Sequence, residues 1–96
     1  MQTWSITLHG PAGTLGSVDT GESQFVVGTE HASDVFTVVG EGVKARHAWV
    51  WIGEAGMQVE DLGEGTLVNG YQITERVQVE YPASVQVGDD TLVVEV

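Results

Sequence analysis

An all-β domain, either a sandwich or a barrel, is what this sequence predicts, and three observations predict it. Apolar residues recur at every second position in short runs, while the 3.6-residue spacing of an amphipathic helix is almost absent. Seventeen valines and thirteen glycines supply the β-branched side chains that suit a pleated surface and the permissive residues that suit many tight connections. The runs succeed one another at roughly eight to twelve residues with no helical stretch between them, which favours layered antiparallel strands over a parallel sheet with crossover helices.

Trp4, Ile6 and Leu8 share one face of the first expected strand. Gly10-Pro11-Ala12-Gly13 ends it, because proline fixes φ and glycine admits turn dihedrals. Further strands are expected at Gln24–Val27, Val35–Val38, His47–Ile52, Met57–Glu60, Thr66–Val68, Val77–Glu80, Ser84–Val87 and Thr91–Val96. Alternation within His47–Ile52 puts His47, Trp49 and Trp51 on one face and Ala48, Val50 and Ile52 on the other. With both faces largely apolar, this strand is expected at the centre of the fold and covered on both sides, its tryptophans serving as core or as an apolar rim. The functional alternative makes one tryptophan part of a docking surface.

Ninety-six residues fit one domain with one core, taken as residues 1–96. Three Lys+Arg against fourteen Asp+Glu leave a net charge of −11, which opposes both nucleic acid and anionic membrane as partners. Zero cysteines exclude disulfides, thiolate nucleophiles and cysteine-ligated zinc. The segment from Met1 to Leu8 alternates polar and apolar residues, unlike a signal peptide or a membrane span, so a cytoplasmic location is expected. The last run reaches Val96, and the chain is expected to be a module of a larger protein.

Catalytic apparatus is not visible. His9, His31 and His47 lack the mutual spacing of a metal site, and neither metal nor cofactor is expected. Glu60-Asp61 and Asp89-Asp90 read as solvated turn carboxylates, since strand neighbours point to opposite faces and no loop alternates oxygen ligands as a calcium loop does. The serines lack a Gly-x-Ser-x-Gly context. Gly63, Gly65 and Gly70 lack the Lys-Ser/Thr continuation and helix of a phosphate loop. The chain is therefore expected to bind rather than to catalyse.

Six short motifs in register narrow this further: Phe25-Val26-Val27-Gly28, Ser33-Asp34-Val35, Val43-Lys44-Ala45-Arg46-His47-Ala48, Val59-Glu60-Asp61-Leu62-Gly63, Thr66-Leu67-Val68-Asn69-Gly70 and Val87-Gly88-Asp89. Their order and spacing over about seventy residues resemble the forkhead-associated (FHA) domain. The resemblance implies a β-sandwich of two mostly antiparallel sheets that recognises phosphothreonine peptides through loops at one end. It also implies structural roles for Gly28 at a strand exit, for His47 as an internal hydrogen-bonding residue, and for Asp61, Asn69 and Gly70 as turn formers.

Departures from the family pattern fall where phosphate would be held. Thr29 stands where the family has arginine, and Lys44-Ala45 where it has Ser-Arg. The segment Asp61-Leu62-Gly63-Glu64-Gly65-Thr66 is shorter than the family's and carries a carboxylate in place of an asparagine. A phosphothreonine brings about −1.5 to −2 charges and needs charge-assisted donors, which Glu64 opposes. Candidate peptide- or phosphate-contacting residues are thus Thr29, Lys44, Arg46, Glu64 and Thr66. The expected function is a noncatalytic protein-interaction module of a signalling, transport or secretion protein, lacking the usual phosphothreonine recognition. In one alternative Lys44 and Arg46 still take a phosphorylated partner; in another the domain is architectural and self-associates.

Overall fold

The computed structural model describes residues 3–63 and 65–96 and holds eleven strands. They are β1 (Trp4–Gly10), β2 (Gly13–Thr20), β3 (Ser23–Gly28), β4 (Val35–Thr37), β5 (Ala48–Gly53), β6 (Gly56–Asp61), β7 (Thr66–Val68), β8 (Tyr71–Gln72), β9 (Val77–Val79), β10 (Ala83–Val87) and β11 (Asp90–Glu95). One sheet has the order β2-β1-β11-β10-β7-β8 and the other β4-β3-β5-β6-β9. Among the described residues β3 and β4 pair in parallel and the other ladders are antiparallel. The two sheets form the sandwich that the resemblance implied, with no helix among the described residues.

Alternation explains how the sheets close on each other. In β5, β10 and β11 every second residue is buried, and all of these except the buried Asp90 join the apolar core: Ala48, Val50, Ile52, Ala83, Val85, Val87, Leu92 and Val94. Trp4 and Ile6 of β1 and Met57 and Val59 of β6 complete the centre. Trp4 packs on Tyr81, with ring centroids 5.8 Å apart. The Tyr81 hydroxyl donates to the Gly53 carbonyl at 2.9 Å and accepts from the Gly53 N–H at 3.1 Å, fixing the β5–β6 turn from the β9–β10 connection. Burial raises the Tyr81 pKa above its ordinary value.

Two strands escape the hydrophobic pattern. β2 is an outermost strand whose residues are almost all exposed, so no buried face imposes alternation on Gly13–Thr20. β8 is two exposed residues reached through Asn69 (φ 52°) and Gly70 (φ 87°), a left-handed pair that closes the hairpin between Val68 and Tyr71.

The tryptophan strand also differs from expectation. β5 is central within its sheet, yet only its Ala48, Val50 and Ile52 side enters the core. Trp49 and Trp51 lie half-buried on the outer face, stacked with centroids 4.3 Å apart, and the Arg76 guanidinium sits 4.3 Å above Trp51. Stacking and a cation–π contact cover these rings in place of a third layer.

Stability follows this division between layers and edges. Leu92→Ala is expected to cost about 2–5 kcal/mol in chemical denaturation, as a buried leucine truncation does. Leu15→Ala on β2, whose side chain is 60% exposed, is expected to stay within about 0.5 kcal/mol.

Candidate functional site

Connections leaving one end of the sandwich are drawn together around His47. Its backbone N–H donates to the Val27 carbonyl at 2.8 Å, and its carbonyl accepts from the Leu62 N–H at 3.2 Å. The ring continues the same task. The Lys44 N–H donates to Nδ1 at 3.2 Å, so the ring hydrogen resides on Nε2, which donates to the Gly65 carbonyl at 2.7 Å. One buried imidazole thereby ties the β4–β5 loop to the β6–β7 loop.

Gly28 completes the junction from the β3 side. A Cβ on it would stand 2.0 Å from the Ala45 carbonyl oxygen, too close for any side chain. The vacant space lets the β4–β5 loop lie against the β3–β4 loop, where the Thr29 N–H donates to the Lys44 carbonyl at 3.0 Å and the Glu30 N–H to the Ala45 carbonyl at 3.3 Å. Asp61 organises the third loop: one carboxylate oxygen accepts from the Gly65 N–H at 3.1 Å and from the Thr66 hydroxyl at 2.7 Å.

The candidate binding residues occupy different situations around this frame. Thr29 and Lys44 are brought side by side by their backbone bond, and the exposed Lys44 makes no ion pair among the described residues. Arg46 is held between two carboxylates of the β3–β4 loop, with Nη1 donating to Glu30 at 3.0 Å and Nη2 to Asp34 at 2.6 Å. Thr66 is fully buried and its hydroxyl is already committed to Asp61. Glu64 lies outside the described residues. Asn69, whose Oδ1 accepts from the Ser84 N–H at 2.9 Å, sits beyond the far end of β7 and does not join the loops around His47.

Beside Arg46 opens a groove of about 500 Å³ lined by Phe25, Val26, Trp49 and Leu62 with Gln24, Asp34 and Arg46. Sequence reasoning did not find it. Val26 and Trp49 become neighbours only through the β3–β5 ladder, and Leu62 arrives from the other side of His47. The identities of Arg46's partners were equally invisible, since twelve and sixteen residues separate it from Asp34 and Glu30.

The ion pair leaves a pH signature. The hydrogen bond from Arg46 holds the Asp34 pKa below its ordinary value of 3.8, and the same contact raises that of Arg46. Because the folded value is depressed, the pair contributes fully above pH 3.8 and is lost as pH falls through the lower folded value. Carbon-13 titration of the Asp34 carboxyl should give a midpoint below 3.8 that rises in Arg46→Ala. A second measurement addresses the frame: Gly28→Ala should unfold at lower denaturant than Gly21→Ala, where an added Cβ meets nothing within 4 Å.

No protein-family model matches the chain, and no curated protein matches it. Solved structures do. The FHA domain of CT664 protein from Chlamydia trachomatis superposes with a TM-score of 0.84 at 17% identity, covering 99% of this chain and 98% of that one. The cytoplasmic domain of the T3SS sorting platform protein PscD from P. aeruginosa gives 0.77 at 16% identity, covering 97% and 79%. Mycobacterium tuberculosis EmbR, in complex with a low affinity phosphopeptide, gives 0.73 at 17% identity, covering 95% and 24%. With its sheets, its buried histidine and its converging loops, the chain has the forkhead-associated fold.

Proposed function

We propose that this chain is a noncatalytic protein-interaction module, carried in the cytoplasm by a larger signalling, transport or secretion protein, whose loops no longer recognise phosphothreonine. The observation that carries this reading is the occupation of Arg46. An incoming phosphate would have to displace Glu30 and Asp34 from the guanidinium while lying beside both carboxylates, well inside the roughly 8 Å over which charges act at physiological salt. The groove next to it offers Trp49, Val26 and Leu62 instead, surfaces that suit an uncharged or apolar side chain of a partner peptide. Likeness to the PscD domain supports a secretion setting, and the net charge of −11 argues against nucleic acid or an anionic membrane as partner.

Lys44 supports a second reading. It is exposed, free of ion pairs among the described residues, and adjacent to the Thr29 backbone, so a phosphate could meet an ammonium and a hydroxyl there. The EmbR likeness, in which a phosphopeptide is bound, favours keeping this alternative in the experiment. Lysine offers a point charge rather than the two-pronged fork of arginine, which makes it the weaker phosphate ligand.

Titration of threonine-phosphorylated peptide libraries, each paired with its unphosphorylated form, decides between the two. The expected result is no phosphate-dependent binding to the wild type, and a gain of about tenfold or more in phosphopeptide affinity when Glu30→Gln and Asp34→Asn together release Arg46. Micromolar wild-type binding that requires the phosphate and disappears in Lys44→Ala would establish the second reading instead.

A further inference from the structure

The six-stranded sheet carries an unfinished edge. β2 terminates the six-stranded sheet, so one side of its backbone pairs with β1 and the other faces solvent. Outermost strands are usually protected by lysine, proline, brevity or a bulge. β2 is eight residues long and contains neither proline, lysine nor arginine. A bulge between Leu8 and His9 disturbs its first residues, but Gly16 to Thr20 run in unbroken register against Leu8 to Trp4. Alternate residues of this five-residue stretch therefore direct their N–H and C=O groups away from β1 and into solvent, a regular row for a further strand.

A second feature coincides with this edge. Val18 stands opposite Ile6 in the ladder and so points toward the opposing sheet, where Ile6 is buried; Val18 itself remains 44% exposed. Its cover is missing because β4, the outermost strand of the facing sheet, has only three residues. Between the two edges lies an open groove of about 250 Å³ lined by Val18, Thr20, Phe25, Val35 and Phe36, above the buried Ile6. Phe25 and Phe36 pack against each other at 5.7 Å and form its apolar floor.

Charge selects the occupant. Asp19 and Glu22 border the groove or its strand, whereas the three cations of the chain lie elsewhere: Arg46 on Glu30 and Asp34, Arg76 on Glu60 and Trp51, and Lys44 in the β4–β5 loop. A second copy would bring another −11 charges to the same edge. We propose that β2 receives an extended segment of a different protein as an added strand, a segment with apolar residues at alternate positions and lysine or arginine at its flanks. Main-chain hydrogen bonds to Gly16–Thr20 hold it, every second side chain enters the groove, and the basic flanks meet Asp19 and Glu22.

A phage-displayed library of random twelve-residue peptides, selected on the intact chain, tests this surface. The expected winners alternate apolar residues between basic flanks and slow hydrogen exchange at the alternate amides of Gly16–Thr20 that face away from β1. They lose binding in Val18→Lys, which fills the groove and places a cation on the edge. Asp19→Lys, a variant at an exposed position, serves if Val18→Lys lowers the thermal midpoint, and it should weaken binding with a shallower salt dependence. Failure to enrich any peptide, winners indifferent to both variants, or protection confined to the loops around His47 would each overturn the proposal. So would a wild-type dimer in analytical ultracentrifugation that Val18→Lys dissociates, because the occupant would then be a second copy. None of these readings depends on whether the loops bind phosphate.

Discussion

A loop that leaves a sheet loses its ladder partners, and its backbone groups must find others or face water. In this domain the solution is concentrated in one residue. His47 makes four hydrogen bonds, to Val27 in β3, to Lys44 in the β4–β5 loop, and to Leu62 and Gly65 in the β6–β7 loop. The side chain can do this only as the tautomer with hydrogen on Nε2, since one ring nitrogen must accept while the other donates. Everything proposed for the loops assumes the relative positions that this imidazole imposes. Gly28 is the complementary constraint: His47 pulls the loops in, and the absence of a side chain at residue 28 leaves room for them to arrive.

How far the sequence disclosed this depends on whether an interaction is local. Alternation in Ser84–Val87 and at the start of the final run, Thr91–Val96, marked the core because burial itself creates that pattern. Asn69-Gly70 announced its hairpin because left-handed backbone restricts residue type at that spot. β2 was missed because an exposed outermost strand is under neither restriction. Trp49 and Trp51 misled for a different reason: an apolar outer face reads like a buried one, and only the Arg76 guanidinium, brought over by the β9 connection, shows how the rings are accommodated. The carboxylates on Arg46 were beyond reach, because fourteen acidic residues offered themselves and only folding chose two.

Total charge and local charge carry separate lessons. A chain at −11 can still hold an anion if its donors are arranged for one, as screening removes distant contributions. What disfavours an anion here is the immediate neighbourhood of Arg46. On the outer face of the five-stranded sheet the same pairing recurs, with Arg76 held by Glu60 at 3.2 Å over Trp51. Arg46 shares a groove with Trp49 and is held by two carboxylates, and Arg76 lies over Trp51 and is held by one, so each guanidinium on this face is already engaged.

Retention of shape at 17% identity has a physical basis in how the loops are joined. The contacts that seat the β4–β5 loop on the β3–β4 loop run from the Thr29 and Glu30 N–H groups to the Lys44 and Ala45 carbonyls, with Gly28 beneath them. Backbone groups are the same in every residue except proline, so the side chains at 29, 30, 44 and 45 are free to change without moving the loops. The positions whose residue type this geometry restricts are Gly28, where a Cβ would meet the Ala45 carbonyl, and His47 and Asp61, whose side chains bind the loops. A frame built mainly from main chain, with Gly28, His47 and Asp61 as its fixed points, therefore leaves the exposed loop side chains free to vary on one and the same fold.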